Sequence, residues 1–360
     1  MWRTARNLLL LLIVLYCFFL SIELLGESFQ IFGEGFARKL IQATSNPFVG
    51  LFIGILSTAV VQSSSVTTSA VIGLVAGGVL NPALTIPIIM GANIGTTVTN
   101  ILVSIAHITR KEEFRRAFSG AVVHDLFNIL IVLILFPLEL ATGFLLKLSN
   151  FAAELFAGVG GIKISSPLKL IIKPATDLIL RGTRENGMIC LILSIILLFG
   201  SLRFMVKLIK SLVIGRLEGF VHTYLFRSAA RSLLLGLILT AIVQSSSATT
   251  SLVVPLLGAG LLTVSDMFPY SMGSNIGTTV TAAMASLVTG SPLAITVAFQ
   301  HIFFNTLGVT IFFPIKRIRE IPIKLAQGFG SFACNHRIIA ILYVLIFFFA
   351  LPIIIIIFGR

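Results

Sequence analysis

Two runs of hydroxyl-bearing residues, each led by a glutamine, offer the clearest chemistry in this chain. Gln62-Ser63-Ser64-Ser65 is followed by Val66-Thr67-Thr68-Ser69, and Gln244-Ser245-Ser246-Ser247 by Ala248-Thr249-Thr250-Ser251. If a helix begins within each run, its first N–H groups are unpaired and the positive end of its dipole lies at the glutamine. Hydroxyls around such an end make an anion site. Two such tips facing each other would enclose one small multi-oxygen anion, and a tetrahedral oxyanion such as phosphate fits that description. Gln62 and Gln244 both donate and accept, so they could serve either the anion or a neighbouring cation. For one run alone, the plainer account is that Ser and Thr bond their own backbone or join helices together. A second matched run weighs against it.

A second motif is also doubled. Met90-Gly91-Ala92-Asn93-Ile94-Gly95-Thr96-Thr97-Val98-Thr99 returns as Met272-Gly273-Ser274-Asn275-Ile276-Gly277-Thr278-Thr279-Val280-Thr281. Paired glycines are expected to loosen a helix and free carbonyls, while Asn93, Thr96, Asn275 and Thr278 supply uncharged oxygens. Hard neutral oxygen ligands suit an alkali cation such as Na⁺ better than zinc, which favours Cys and His. Close helix packing through small residues would explain the same spacing. Asp125 is an acid within a predicted span, and such a residue is expensive and by default functional. Its counterpart is Ile302, although His124/His301 and Asn128/Asn305 match around it. An extra cation in one half only would follow. Both histidines are read as structural hydrogen-bonders, and Glu23 and Glu139 as lying near helix ends.

Behind these motifs stands an internal repeat. Residues 54–100 and 236–282 align without gaps and agree at 25 of 47 positions, while the His-x-x-Phe-Asn block recurs with five residues fewer between. With 57% apolar residues, 11% charged and a mean hydropathy of +1.06, the chain is not an ordinary soluble protein. It reads as a polytopic, all-α membrane protein. Three spans are expected in each copy: 8–26, 84–108 and 117–140, then 188–202 with extension towards 214, 267–289 and 293–314. An odd number inverts the second copy in the membrane, the plan of secondary transporters.

From Pro47 to Val61 is about 22 Å of helix, too short for a hydrocarbon core of roughly 30 Å. Each Gln-Ser-Ser-Ser is therefore placed at the tip of a re-entrant hairpin, about 47–80 and 228–262, held against protein or a wet cavity. The expected organisation is repeat one over 1–146, a non-spanning linker over 147–186, repeat two over 187–323 and a C-terminal transmembrane helix within 324–360.

The net charge of +13 sits in short runs between apolar segments, as cytoplasmic loops facing anionic lipid do. This places the N-terminus in the cytoplasm and the chain in the cell membrane. Lys163, Lys169, Lys173, Arg181 and Arg184 in the linker run against that assignment. No basic run has the length or aromatic interleaving of a nucleic-acid site. Cys17, Cys190 and Cys334 fit neither a disulfide framework nor a metal site. Leu8 to Leu20 lacks a cleavage signal and reads as a retained first span.

Taken together, the paired Gln-Ser-Ser-Ser tips, the Asn-Ile-Gly-Thr-Thr blocks and Glu113-Phe114-Arg115-Arg116-Ala117-Phe118 followed by His-Asp-x-Phe-Asn resemble the type II sodium/phosphate cotransporters in a short bacterial form. The similarity covers about 45–140 and 228–315. It implies phosphate at Gln62, Ser63, Ser64, Ser65, Gln244, Ser245, Ser246 and Ser247. It also implies sodium at Asn128, Ser274 and Thr278, and net charge movement through Asp125. Thr109-Arg110-Lys111 departs from the family, where an acid often precedes the Glu-Phe-Arg-Arg segment, and this bears on stoichiometry. The partners expected are inorganic phosphate, sodium as coupling ion and the bilayer, with a homodimer allowed, no nucleic acid and no cofactor. A symporter of sulfate or arsenate, a passive anion channel and a membrane assembly protein are the rivals. No Gly-x-x-x-x-Gly-Lys-Ser/Thr loop for ATP is present, and no serine has an obvious base to make it an enzyme nucleophile.

Overall fold

The computed structural model describes residues 2–159, 167–220 and 228–359, and among them the regular structure is entirely helical. Lys163 of the linker lies outside the described residues. Copy one opens with α1 (Trp2–Thr44), followed by α2 (Pro47–Val61), α3 (Ser64–Ala76), α4 (Pro82–Gly95), α5 (Val98–Ile105) and α6 (Lys111–Thr142). Then come α7 (Phe144–Val159) and α8 (Pro167–Gly182). Copy two comprises α9 (Gly187–Phe220), α10 (Ala229–Val243), α11 (Ser246–Ser251), α12 (Val254–Gly258), α13 (Val264–Thr289) and α14 (Pro292–Phe312). The chain closes with α15 (Lys316–Asn335) and a last helix, Ile338–Phe358, whose middle, Val344–Ala350, is π-helical.

Six helices among the described residues are long and apolar enough to cross a membrane: Leu9–Phe32, Pro82–Ile105, Lys111–Thr142, Gly187–Met205, Pro292–Phe312 and Ile338–Phe358. The molecule is a multi-pass membrane protein. The expected span 267–289 is long enough, as α13, yet falls short in hydropathy because its Ser, Asn and Thr side chains fill its centre. These face protein, since Ser274, Asn275, Thr278 and Thr281 are buried. The block 147–186 is largely two 16-residue helices rather than irregular linker. Neither is long enough to be counted among the spans. The unit expected at 324–360 divides, with α15 ending at Asn335 and a new helix starting at Ile338.

Each hairpin forms for local reasons. Asn46 caps α2 by accepting the Phe48 N–H at 3.0 Å, and Ser228 caps α10 by accepting the Arg231 N–H at 3.3 Å. Both helices are 15 residues long. They lie against α4 and α13 with backbones nearly touching. A Cβ on Gly91 would come within 1.9 Å of the Leu51 carbonyl, and one on Gly273 within 1.8 Å of the Leu233 carbonyl. These glycines thus serve close packing, and the helix is not loosened at either one. In copy one the helix does break at the second glycine of the pair, Gly95, between α4 and α5, as the motif predicts, whereas α13 runs straight through the matching residues.

The copies interlock. Helix α3 packs on α13 and α14 of the other copy, while α11 and α12 pack on α5 and α6. The two long opening helices, α1 and α9, pack on each other. Helix α12 is set off from α11 by a kink whose cause is Pro255, which has no N–H to continue the ladder. The matching residue of copy one is Gly73, and α3 there is unbroken. Arg116 fixes the far end of α12, donating from Nε and Nη2 to the Gly258 carbonyl at 3.0 and 2.8 Å. A cation at a helix C-terminus also suits the dipole.

Glu139 does lie near a helix end, accepting the Leu145 N–H at 2.6 Å and joining α6 to α7. Glu23 does not: it is buried in the middle of α1.

Candidate functional site

At each tip the chain makes the same three-residue manoeuvre. Gln62 (φ 56°, ψ 27°) and Gln244 (φ 59°, ψ 28°) end their helices in the left-handed region, and their N–H groups close onto the carbonyls of Thr58 and Thr240. Ser63 and Ser245 are extended, and their hydroxyls accept the N–H of Val66 and Ala248 at 3.4 and 3.2 Å. The new helix then starts with the N–H groups of Ser64 and Ser65, or Ser246 and Ser247, outside its own ladder, as in any first turn. Thr58 to Thr67 at 2.8 Å and Thr240 to Thr249 at 2.7 Å tie the two arms of each hairpin together.

The tips meet. Ser65 Oγ donates to the Gln244 carbonyl at 3.2 Å, and Ser247 Oγ donates to the Gln62 carbonyl at 3.2 Å. Each bond is the other's equivalent with the copies exchanged, so the tips are related by a local two-fold. Ser64, Ser65, Ser246 and Ser247 are buried there. The glutamine side chains break the symmetry. Gln62 is exposed, whereas Gln244 is buried against α13, with Nε2 on Met284 Sδ at 3.6 Å and Oε1 accepting the Thr281 hydroxyl at 3.3 Å.

The residues expected to bind sodium fall into three places. Thr278 is 3.2 Å from Ser65 Oγ, and Thr96 accepts from Ser64 Oγ at 3.4 Å, so both stand beside the tips. Ser274 lies behind the second tip, its hydroxyl 2.5 Å from Thr240 Oγ1 and 3.1 Å from Thr249 Oγ1. This is a close group of neutral hydroxyl oxygens, a ligand type that suits an alkali cation. Thr240 and Thr249 were not among the expected ligands. Copy one has no equivalent group, because Ala92 stands where copy two has Ser274.

Asn93, Asn128 and Asn275 belong to a buried hydrogen-bond chain through His124. Thr250 Oγ1 donates to Asn100 Oδ1 at 3.0 Å, and Asn100 Nδ2 meets His124 Nδ1 at 3.3 Å. His124 Nε2 meets Asn275 Oδ1 at 2.7 Å, Asn275 Nδ2 donates to Asn128 Oδ1 at 2.7 Å, and Asn128 Nδ2 donates to the Asn93 carbonyl at 2.6 Å. With His124 neutral and its proton on Nε2, every link has one donor and one acceptor. The chain crosses α11, α5, α6, α13 and α4, and so couples both copies. His124 is thus the hydrogen-bonder expected, but His301 is not. Neither ring nitrogen of His301 has a hydrogen-bond partner, and the same holds for Asn305 Oδ1.

Asp125 stands apart from these groups. It is fully buried, with Oδ1 accepting the Thr97 hydroxyl at 2.8 Å and Oδ2 accepting the Tyr343 hydroxyl of the last helix. Thr97 reaches it from the break between α4 and α5. Sequence reasoning missed Tyr343, although a signal was present: it is the single polar side chain between Ile338 and Phe358.

The model of the Na⁺/Pi-cotransporter family matches residues 17–163 and 196–334, so the match is interrupted in the block between the copies. Sodium-dependent phosphate transport protein 2B of Homo sapiens is 33% identical over 443 residues, covering 96% of this chain and 64% of that protein. Sodium-dependent phosphate transport protein 2A of Mus musculus is 32% identical over 421 residues, covering 95% of this chain and 66% of its relative. Several of the similar proteins are thus matched over slightly less than two thirds of their own length. No solved structure matches the chain.

Proposed function

This chain belongs to the Na⁺/Pi-cotransporter family, and from that premise we propose that it carries inorganic phosphate across the cell membrane together with sodium ions. The relatives are named for sodium-dependent phosphate transport. The observation that carries the reading is the pair of reciprocal bonds from Ser65 to the Gln244 carbonyl and from Ser247 to the Gln62 carbonyl. They put two hydroxyl-rich helix starts on opposite sides of one point, where a phosphate would receive N–H and O–H donors from both copies. Gln62 and Gln244 lead these helix starts, and their amides would join that shell by turning from the positions they hold here, Gln62 exposed and Gln244 on Met284 and Thr281.

Sodium supplies the missing charge. A phosphate dianion between dipole ends and neutral hydroxyls is poorly neutralised, so a cation at Ser274, Thr278, Thr240 and Thr249 raises its affinity, and phosphate raises that of the cation in return. Asp125, buried without an ion pair among the described residues, adds a fixed negative charge for a further cation and makes transport electrogenic. Two copies inverted in the membrane provide alternating access, with the site near the midplane. The exposed Gln62 and enclosed Gln244 then represent one of two outward and inward forms.

The test is uptake of labelled phosphate into proteoliposomes holding the purified full chain, under an inward Na⁺ gradient or with K⁺ in its place. Uptake only with Na⁺ is expected, with weaker competition from sulfate than from arsenate. Uptake indifferent to Na⁺ removes the cation assignments. In the same assay Ser65→Ala and Ser247→Ala should each lower phosphate uptake by about tenfold, the scale of one hydrogen bond to a charged group. Asp125→Asn should reduce the current per phosphate carried, and an unchanged current would exclude Asp125 from coupling.

A further inference from the structure

The last helix belongs to neither copy, yet it reaches the acid at which the two His-x-x-Phe-Asn blocks part, Asp125 against Ile302. Between Ile338 and Phe358 every side chain but one is apolar, as a lipid-facing helix requires. The exception, Tyr343, turns its hydroxyl onto Asp125. Its ring is fixed by an aromatic cluster: Phe347 stacks at 5.4 Å, Phe329 meets it edge-on at 5.1 Å and Phe348 lies at 5.9 Å. A phenylalanine would fill that place equally well, so packing alone gives no reason for the hydroxyl.

Two further features mark this helix. Immediately after Tyr343 the backbone widens into the π-helical stretch Val344–Ala350, a distortion that is rare and gathers at functional sites. At its far end, Asn46 Nδ2 donates to the Gly359 carbonyl at 2.8 Å. The residue that caps the first hairpin therefore also holds the end of the helix that bonds Asp125. Copy two carries Ile302 in place of the acid.

We propose that Tyr343 is the positioning residue of Asp125, its hydroxyl occupying the carboxylate while no cation is bound, so that sodium competes with the phenol for the same oxygens. The inference rests on the sodium-coupled reading above. A buried carboxylate without a counter-charge is costly, and strong donors offset part of that cost. Thr97 and Tyr343 supply one donor to each oxygen. When a cation draws on the carboxylate lone pairs, the phenol bond weakens, and when the cation leaves, the phenol restores the carboxylate to its empty geometry. Tyr343 thereby limits how tightly sodium is held and keeps its release fast.

The test is thermal unfolding of the purified full chain, titrated with NaCl against choline chloride at constant ionic strength, for the wild type, Tyr343→Phe, Asp125→Asn and the double variant. For Tyr343→Phe the sodium midpoint should fall about tenfold. In proteoliposomes its half-saturating sodium and maximal rate should both fall while half-saturating phosphate is unchanged. With Asp125→Asn present, Tyr343→Phe should shift nothing. Tyr343→Leu, also lacking the hydroxyl, should move the midpoint in the same direction if Tyr343→Phe is not recovered folded. An unchanged or higher midpoint, an equal shift in the Asp125→Asn background, or a wild type that sodium does not stabilise overturns the proposal. A wild type stabilised by sodium that takes up no phosphate would instead defeat the symport reading, while the Tyr343 titration would still be decided.

Discussion

The two copies place the same pair on a spanning helix, His124 with Asn128 on α6 and His301 with Asn305 on α14, and only the first is built into a network. His124 is bonded at both ring nitrogens, and Asn128 both donates and accepts. His301 is equally buried and bonded at neither nitrogen. The partners explain the difference. Asn100, which meets His124 Nδ1, has Ala282 as its counterpart, so His301 has no amide at that place to bond. Duplicated residues therefore do not make duplicated sites. A shared framework is kept where backbones touch, and function diverges where one side chain in a chain of bonds is exchanged.

The shared framework should be equally sensitive to substitution in both copies. Gly91→Ala and Gly273→Ala each push a Cβ into a carbonyl of the neighbouring helix, and each should destabilise the protein by about 3 kcal/mol, the upper end of the usual cost of overpacking. If the copies are equivalent there, thermal unfolding and the yield of monodisperse protein will suffer alike. Gly200→Ala, with open space around the new methyl, is the control and should change neither. Loss from one glycine alone would mean that only one hairpin needs its close contact.

At the divergent level the copies should separate. His124→Leu strands the polar atoms of Asn100 and Asn275, about 1–3 kcal/mol each, and should lower sodium-dependent uptake at least tenfold. His301→Leu removes a ring with no bonds to lose and should leave thermal stability equal or higher. Equal effects would show that His301 has a partner in another state of the cycle. The smallest difference lies at the hairpin bases. Asn46→Ala loses both a cap and the bond to Gly359, and should cost about 1 kcal/mol or somewhat more. Ser228→Ala loses its cap alone and should cost less in the same unfolding assay.

Much of the framework was legible because the repeat made it so. The first arms of both hairpins, the glutamine tips and the serine helix starts follow from one motif occurring twice within a hydrophobic chain. What the sequence hid depended on angle and distance. Thr240 and Thr249 sit beside expected residues but gather around Ser274 only because two helix arms cross at that height. Asn100 reaches His124 across a helix pair that no spacing rule connects. Tyr343 lies 218 residues from Asp125, in a segment whose composition reads as lipid-facing. The span expected at 267–289 illustrates the opposite limit. Hydropathy undervalues α13 as a membrane element because its polar side chains are satisfied by protein rather than by water.

Both tip glutamines hold a left-handed backbone. A side chain in that region of backbone space is disfavoured by roughly 1–2 kcal/mol, a penalty glycine escapes. Glycine at either position would ease the turn. Both copies nonetheless carry glutamine at this turn, at Gln62 and Gln244. One chain therefore accepts the same backbone penalty at both facing tips, and what each turn keeps in exchange is an amide side chain that glycine would lack.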